Sequence, residues 1–451
     1  TTGADAANYL SAGVYAGAIG PGAGQTSVRT ISNTSVDGGG SGGGGGGLLG
    51  GNTSFGSAPQ GEWRGLGGNR GSNGAVAGIS VSGVTDTTVA VSNSANGYII
   101  LTVSTTPGIT FGGTVNGNKA LTVSAAGGNV TFSGAVGSGQ TLGALTVNST
   151  GTTTFSAAVS AASVTTNAGG TTAVNGGAVT TTGAQTYNDA VTLGAATTLN
   201  TTNSNIVFAS TLNSNTSARA LTIGAGTGAV TFTGAVGGAT AVGDTNITAA
   251  TITNSSTLVG GGVYSITGNA VVNGAITGVT NLSVTGTTNI GANITTTGTQ
   301  LYSDAVTLTA NTTLVTTDSN VTFNGTLNSN NSTAKTLSIN AGNGTVAMNG
   351  VVGGTSTTVL GATTITAGTF ATGASGSIAM GANALTINTD AINLGAAISG
   401  SSTLTIAPKT ATTTIGLGSA AAGTLNLDDT ELGYLSNGFS SIRSEEHTSE
   451  L

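Results

Sequence analysis

The stretch RALTIGAGTGAVTFTGAVGG at residues 219–238 returns as KTLSINAGNGTVAMNGVVGG at 335–354, and a partial copy, KALTVSAAGGNVTFSGAV, stands earlier at 119–136. Within these copies apolar residues or glycines alternate with small or polar ones. Val130, Phe132, Gly134 and Val136 share one parity, as do Val230, Phe232, Gly234 and Val236, and then Val346, Met348, Gly350 and Val352. A period of two, punctuated by Gly, Asn and Ser, reads as short strands with one buried face, and no comparable stretch sustains a period of 3.6. Helix is therefore expected to be close to absent.

Outward from this core the duplication is longer. VTTTGAQTYNDAVTLGAATTLNTTNSNIVFASTLNSN begins at Val179 and recurs 115 residues later, from Ile294, as ITTTGTQLYSDAVTLTANTTLVTTDSNVTFNGTLNSN. Three equivalent pairs, Phe111 with Phe132, Phe208 with Phe232 and Phe323 with Met348, are 21, 24 and 25 residues apart. That interval suits one rung of a β-solenoid, with two or three strands of about five residues joined by turns. The roughly 370 residues of 74–442 would then give roughly 16 rungs and, at about 4.8 Å each, a rod of roughly 80 Å. An immunoglobulin-like array would instead need separate cores of about 100 residues, with more buried aromatics.

The copies also vary in a patterned way. Phe232 becomes Met348 and Ile223 stays Ile339, while Asn203 becomes Asp318 and Arg219 becomes Lys335. Size is kept at the positions read as interior, and polarity alone at those read as exterior.

Composition narrows the function classes. Of 451 residues, 78 are Gly, 37% are hydrophobic and 5% are charged, so there is β-branched material to bury but little charge. A net charge of −7 with eight Lys and Arg leaves no basic stripe for phosphates, and nucleic acid is not an expected partner. There is no Cys, which excludes disulfides and thiolate metal sites. No apolar run approaches the roughly 18 to 20 residues of a membrane span, and no signal peptide is visible after Thr1. The chain is expected to be an internal piece of a larger protein, with any secretion signal upstream.

Four segments are expected. Residues 1–35 read as the end of a preceding β module, with GADAANYLSAG resembling the closing strand of short β modules found in tandem in giant bacterial surface proteins. Residues 36–73 read as a Gly-rich linker or loop holding Trp63, whose expected role is to anchor the loop on a neighbouring surface. Residues 74–442 are the solenoid region. Residues 443–451, RSEEHTSEL, match the translation of a common short-read sequencing adapter; outside them stand seven basic and twelve acidic residues, a charge of −5, and no histidine. This removes His-dependent catalysis and His-ligated metal.

No catalytic, cofactor-binding or metal-ligating residue is assigned. Asp189 and Asp304, beside Tyr187 and Tyr302 in the two copies, are expected to cap turns rather than to bind sugar or metal. Asp428, Asp429 and Glu431 form one acidic cluster without a calcium-loop pattern, expected to be a solvated turn. GGTVNGNK at 112–119 lacks the Gly-Lys-Ser/Thr ending of a phosphate loop. Asn-x-Ser/Thr triplets such as Asn148-Ser149-Thr150 are expected by chance in this composition. Thr152 to Thr154 and Thr180 to Thr182 suggest outward Thr pairs of the kind that order water on ice-binding solenoids, but along the sequence the Thr positions drift, and a plain β-branched exterior is the favoured reading.

On the motifs TGAQTYNDAVTL, ALTIGAGTGAVTFTGAVGG and TLNLDDTELGYLSNGFSSI (424–442), residues 74–442 resemble the repeat region of filamentous-haemagglutinin-like giant adhesins and autotransporter-type β-strand repeat proteins. The resemblance implies an all-β, right-handed parallel β-helix, exported across the outer membrane by a transporter and exposed at the bacterial surface. It implies a structural or adhesive segment, not an enzyme and without cofactors, that meets host or surface glycans or proteins and does not itself span the membrane. The alternatives are a β-helix enzyme acting on polysaccharide, which needs clustered carboxylates with Arg or Lys, and a Thr-ladder binder of ice or another lattice.

Overall fold

The computed structural model describes residues 28–32, 88–93, 99–103, 108–330, 333–354 and 358–444. The linker 36–73 with Trp63, and residues 445–451 of the tail, lie outside them. The described residues are about 2% helical and form a parallel β-solenoid of about 14 turns, with rungs of about 21 residues. They fall into two compact units, Thr1–Gly228 and Ala229–Leu451.

In the first unit Val28–Ser32 pairs antiparallel with Thr88–Asn93, which pairs antiparallel with Ile99–Val103. From there pairing is parallel, beginning with Ile99–Val103 against Leu121–Ala126. One rung consists of Ala178–Thr181, Gln185–Tyr187 and Ala190–Leu193. The next lays Thr197–Thr201, Ile206–Phe208 and Leu212–Ser214 over those three strands in the same order. Each strand alternates buried and outward residues, as the sequence period requires. Like side chains therefore stack on like: Phe111, Phe132 and Phe155 lie at one register, their rings 4.7 and 5.3 Å apart and close to parallel. Each such ring contributes roughly 1.5–3 kcal/mol by burial.

The second unit shows how register survives changes of length. Tyr264, Leu282, Gln300, Val321, Val346, Phe370 and Ile392 are successive partners, at intervals of 18, 18, 21, 25, 24 and 22 residues. The strands keep their length while the corners absorb the difference. Two stretches counted in the sequence estimate of 16 rungs are not regular rungs. Thr88–Asn93 is antiparallel. Residues 408–440 depart from the regular rung for a two-stranded pair, Ile415–Leu417 with Leu425–Leu427, and a short helix α1, Asp429–Gly433, touching the ladder again where Leu435 bridges Ile398 in parallel. The chain rejoins at Ser441–Ser444, which pairs with Thr403–Ala407 and includes Arg443 and Ser444 of the charged tail.

Corners are held by Asn and Asp side chains that bond between rungs. In the first unit Asn116, Asn129 and Asn203 accept through Oδ1 from the backbone N–H of Gly139, Thr152 and Thr227, 23 or 24 residues ahead. In the second, Asp244, Asn269, Asn281, Asn293, Asn311, Asp318, Asn320 and Asp390 do the same for Val263, Thr287, Thr299, Thr313, Thr336, Asn343, Thr345 and Thr410. Asn167 and Asp189 accept in the opposite sense, from Ser149 and Gly170 of the rung before. Asn203 and its counterpart Asp318 sit at φ of 53° and 48°, a left-handed conformation that Asn and Asp tolerate better than other non-glycine residues. At Gly268, with φ of 136°, a Cβ would stand 1.9 Å from the Ala249 carbonyl oxygen, so the corner admits glycine alone.

Candidate functional site

Among the residues that the two copies preserve are a glutamine and a tyrosine that face inward. Gln185 is fully buried and its Nε2 donates to the carbonyls of Val179 and Asn200 and to Thr181 Oγ1, while Tyr187 Oη donates to Gln185 Oε1 at 2.9 Å. Gln300 repeats the arrangement with Ile294, Val315 and Thr296, and Tyr302 donates to it at 3.1 Å. Burial pushes both phenols well above the usual tyrosine range. This network satisfies buried polar groups across rungs, a structural task. It also corrects the expectation that polar letters mark the exterior.

The two aspartates of the duplicated motif have different fates, and neither meets its neighbouring phenol. Asp304 is exposed and accepts from the N–H of Ala305 at 2.7 Å, a turn cap as expected. Asp189 is 1% exposed and accepts from Gly170 N–H at 2.8 Å and Thr172 Oγ1 at 3.2 Å, so it ties two rungs together instead of capping its own turn. Desolvation raises its pKa, against the pull of those two bonds. At the matching corner of the second copy Gly286 N–H already donates to the Gly268 carbonyl at 3.0 Å, so the donor that Asp189 uses is taken.

The acidic cluster is not a solvated turn. Asp428 is the N-cap of α1 in a capping box: its Oδ1 accepts from Glu431 N–H at 2.8 Å, and Glu431 Oε2 accepts from Asp428 N–H at 3.1 Å. Glu431, only 9% exposed, also accepts from Leu394 N–H at 2.9 Å and so fastens the excursion to the ladder. Asp429 is exposed and accepts from Ser419 Oγ at 2.9 Å. Among the described residues no group of three or more His, Cys, Asp or Glu is placed to hold a metal ion. No helix among them is long and apolar enough to cross a membrane. In 112–119, Asn116 staples Gly139 and no helix follows, so nothing there forms a phosphate cradle.

Some of the Thr residues that drift along the sequence come into line in space, although Thr180 stands between Ser160 and Asn200. In the first unit Thr122, Thr146, Thr165 and Thr186 occupy one outward register position in successive rungs. Thr110, Thr131 and Thr154 do so on another face. In the second unit the row is Thr313, Ser338, Thr364, Thr386 and Thr405. Hydroxyls in such a row repeat at about 4.8 Å. Individual Thr runs still thread in and out: Thr153 is fully buried between outward Thr152 and Thr154, and Thr152 shares a hydrogen bond of 2.9 Å with Thr171.

One cluster escaped the sequence reading. Lys409 Nζ lies 2.6 Å from Asn343 Oδ1 and 3.9 Å from Asp390 Oδ2, although the three residues come from three separate rungs. Asp390 also accepts from Thr410 N–H at 2.7 Å, Thr410 Oγ1 at 2.6 Å and Thr413 Oγ1 at 3.0 Å. Desolvation pushes its pKa up, but these bonds and the Lys409 charge outweigh it and hold the carboxyl below its usual range. Comparison of the chain with protein-family models, with curated proteins and with solved structures found no match.

Proposed function

We propose that this chain is a structural or adhesive segment of a large bacterial protein, exported and exposed at the cell surface, where it meets host or surface glycans or proteins. The observation that carries the reading is the division of labour in each rung. Stacked apolar side chains, buried Gln–Tyr pairs and corner staples hold the ladder, leaving the outward positions free for repeated weak contacts. The resemblance of residues 74–442 to surface-protein repeats supports the same reading. Under it the carboxylates of the duplicated motif are ties and caps with no catalytic role.

The test is retention of beads coated with the purified chain on panels of polysaccharide and extracellular protein. Folded chain is expected to retain beads on some surfaces where heat-unfolded chain does not. Equal retention everywhere would remove the adhesive half and leave a spacer.

The aligned hydroxyl rows favour a second reading, binding to ice or another regular lattice. Thermal hysteresis in a solution of the folded chain supports it, and freezing behaviour identical to that of an inert protein removes it.

A further inference from the structure

We propose that Lys409 and Asn343 form an intramolecular isopeptide bond, with Asp390 carrying the proton. All three belong to the second unit. Asn343 stands in the corner between Leu337–Asn340 and Thr345–Met348, Asp390 at the corner inside Leu385–Leu394, and Lys409 just past Thr403–Ala407. Lys409 thus reaches back past Asp390 to a corner 66 residues earlier.

The path is open because the rung after Asn343 places Gly368 at this corner, where the backbones are so close that a Cβ would lie 2.2 Å from the Asn343 carbonyl oxygen. A side chain there would run into the Asn343 backbone and displace the corner that carries the target amide. Nor does the Asn343 corner itself demand an amide side chain. The equivalent position of the first copy is Thr227, whose N–H is stapled by Asn203 as that of Asn343 is by Asp318.

The hydrogen bond of 2.6 Å from Nζ to Oδ1 brings the lysine nitrogen within about 4 Å of the Asn343 amide carbon, because a C=O bond adds about 1.2 Å. That is close to the separation at which held partners react with a large advantage over free ones. Lysine is a competent nucleophile once it loses its proton, and Asp390, its ion-pair partner at 3.9 Å, takes that proton by closing to hydrogen-bond distance, against the Thr410 and Thr413 bonds that favour its ionised form. Thr410 N–H and Thr413 Oγ1 fix that carboxylate through Oδ1, and Thr410 Oγ1 donates to the Oδ2 that faces Lys409.

The step balances without an outside reagent. Lys409 ammonium gives one proton to Asp390. The Nζ lone pair attacks Asn343 Cγ, and the Nζ–Cγ bond forms. The proton passes to Nδ2 as the tetrahedral centre collapses, the Cγ–Nδ2 bond breaks and ammonia departs. The second proton lost by Nζ leaves with it as ammonium, and Asp390 is a carboxylate again.

The experiment is mass spectrometry of the purified full chain. Expected are an intact mass lower than the sequence mass by one ammonia, about 17 Da, and a branched peptide joining Lys409 to Asn343, with tryptic cleavage after Lys409 blocked. Lys409→Arg and Asn343→Thr, the latter taking the residue of the first copy, are expected to restore the full mass while keeping the β circular-dichroism spectrum. Asp390→Asn is expected to abolish the branch. An unmodified chain at its sequence mass overturns the proposal. So does a mass deficit that persists in Lys409→Arg, because it would report a succinimide formed by Gly344 N on the same amide. A branch that survives Asp390→Asn overturns the role given to Asp390.

Discussion

Tyr302 and Gln300 lie two residues apart in one strand, both side chains point into the solenoid, and the phenol donates to Gln300 Oε1 at 3.1 Å. The amide has turned its nitrogen to the carbonyl of Val315 in the next rung, so its oxygen is left for the tyrosine. Tyr302→Phe is expected to cost about 1–2 kcal/mol, by leaving that oxygen unpaired. Gln300→Ala is expected to cost more, since it strands the phenol and two carbonyls and opens a cavity. Urea midpoints of the two variants check the order, and equal midpoints would contradict it.

The Phe111–Phe132–Phe155 stack gives a second measure. Removing its middle ring with Phe132→Ala is expected to cost about 3–5 kcal/mol. Phe132→Met, the exchange that the copies make between Phe232 and Met348, is expected to cost less than about 1.5 kcal/mol. Denaturant unfolding followed by circular dichroism reports both.

The corner staples predict a distinction between two small changes. Asn269 Oδ1 accepts from both the N–H and the hydroxyl of Thr287 at 3.0 Å. Asn269→Ala is expected to lower stability by about 1–2 kcal/mol, while Asn269→Asp, which keeps the acceptor, costs less. At Gly268 the added methyl of Gly268→Ala meets backbone at a positive φ, and the expected loss exceeds about 1 kcal/mol. Hydrogen exchange at Thr287 N–H would rise in Asn269→Ala and stay slow in Asn269→Asp.

Asp189 predicts the sign of a pH effect. Its carboxyl has a raised pKa in the folded chain, so between the unfolded and folded values the folded state binds more protons. Stability from this group falls as pH rises through that window and is lowest above it. Asp189→Asn keeps an acceptor for Gly170 N–H and is expected to be the more stable form at neutral pH, the gap closing as pH falls toward about 4. Melting temperatures of both forms from about pH 4 to about pH 8 decide it, and a gap that widens on acidification would contradict the assignment.

Much of the fold was legible because a strand with one buried face writes its period directly into the sequence. The parity of Val130, Phe132 and Val136, and the exchange of Phe232 for Met348, both reported interior positions correctly. What stayed hidden depends on neighbours one rung away. Partner intervals in the second unit include 18, 25 and 26 residues, so no fixed period aligns Thr313 with Ser338 and Thr364, although the ladder does. Asp189 and Asp304 look alike in sequence, and the difference between them lies in whether Gly170 or Gly286 has an amide to spare. Asp428 and Glu431 carried a readable signal, an acidic residue three positions before a glutamate, that marks a capping box. Lys409, Asp390 and Asn343 carried none, being joined across corners of three rungs with that of Gly368 between.

The eight forward-reaching corner oxygens of the second unit, from Asp244 to Asp390, give its ladder a chemical direction. A face cut between two rungs shows carboxamide and carboxylate oxygens on its N-terminal piece and bare amide hydrogens on its C-terminal piece. Backbone N–H and C=O groups lie on both faces, since Gln300 N–H donates forward to Asn320 and Asn324 N–H donates back to Tyr302, so it is the side-chain oxygens that make the two faces unlike. Seen from its two ends the unit is therefore not the same object: these corner acceptors all look toward the C-terminus and the amides they hold look back.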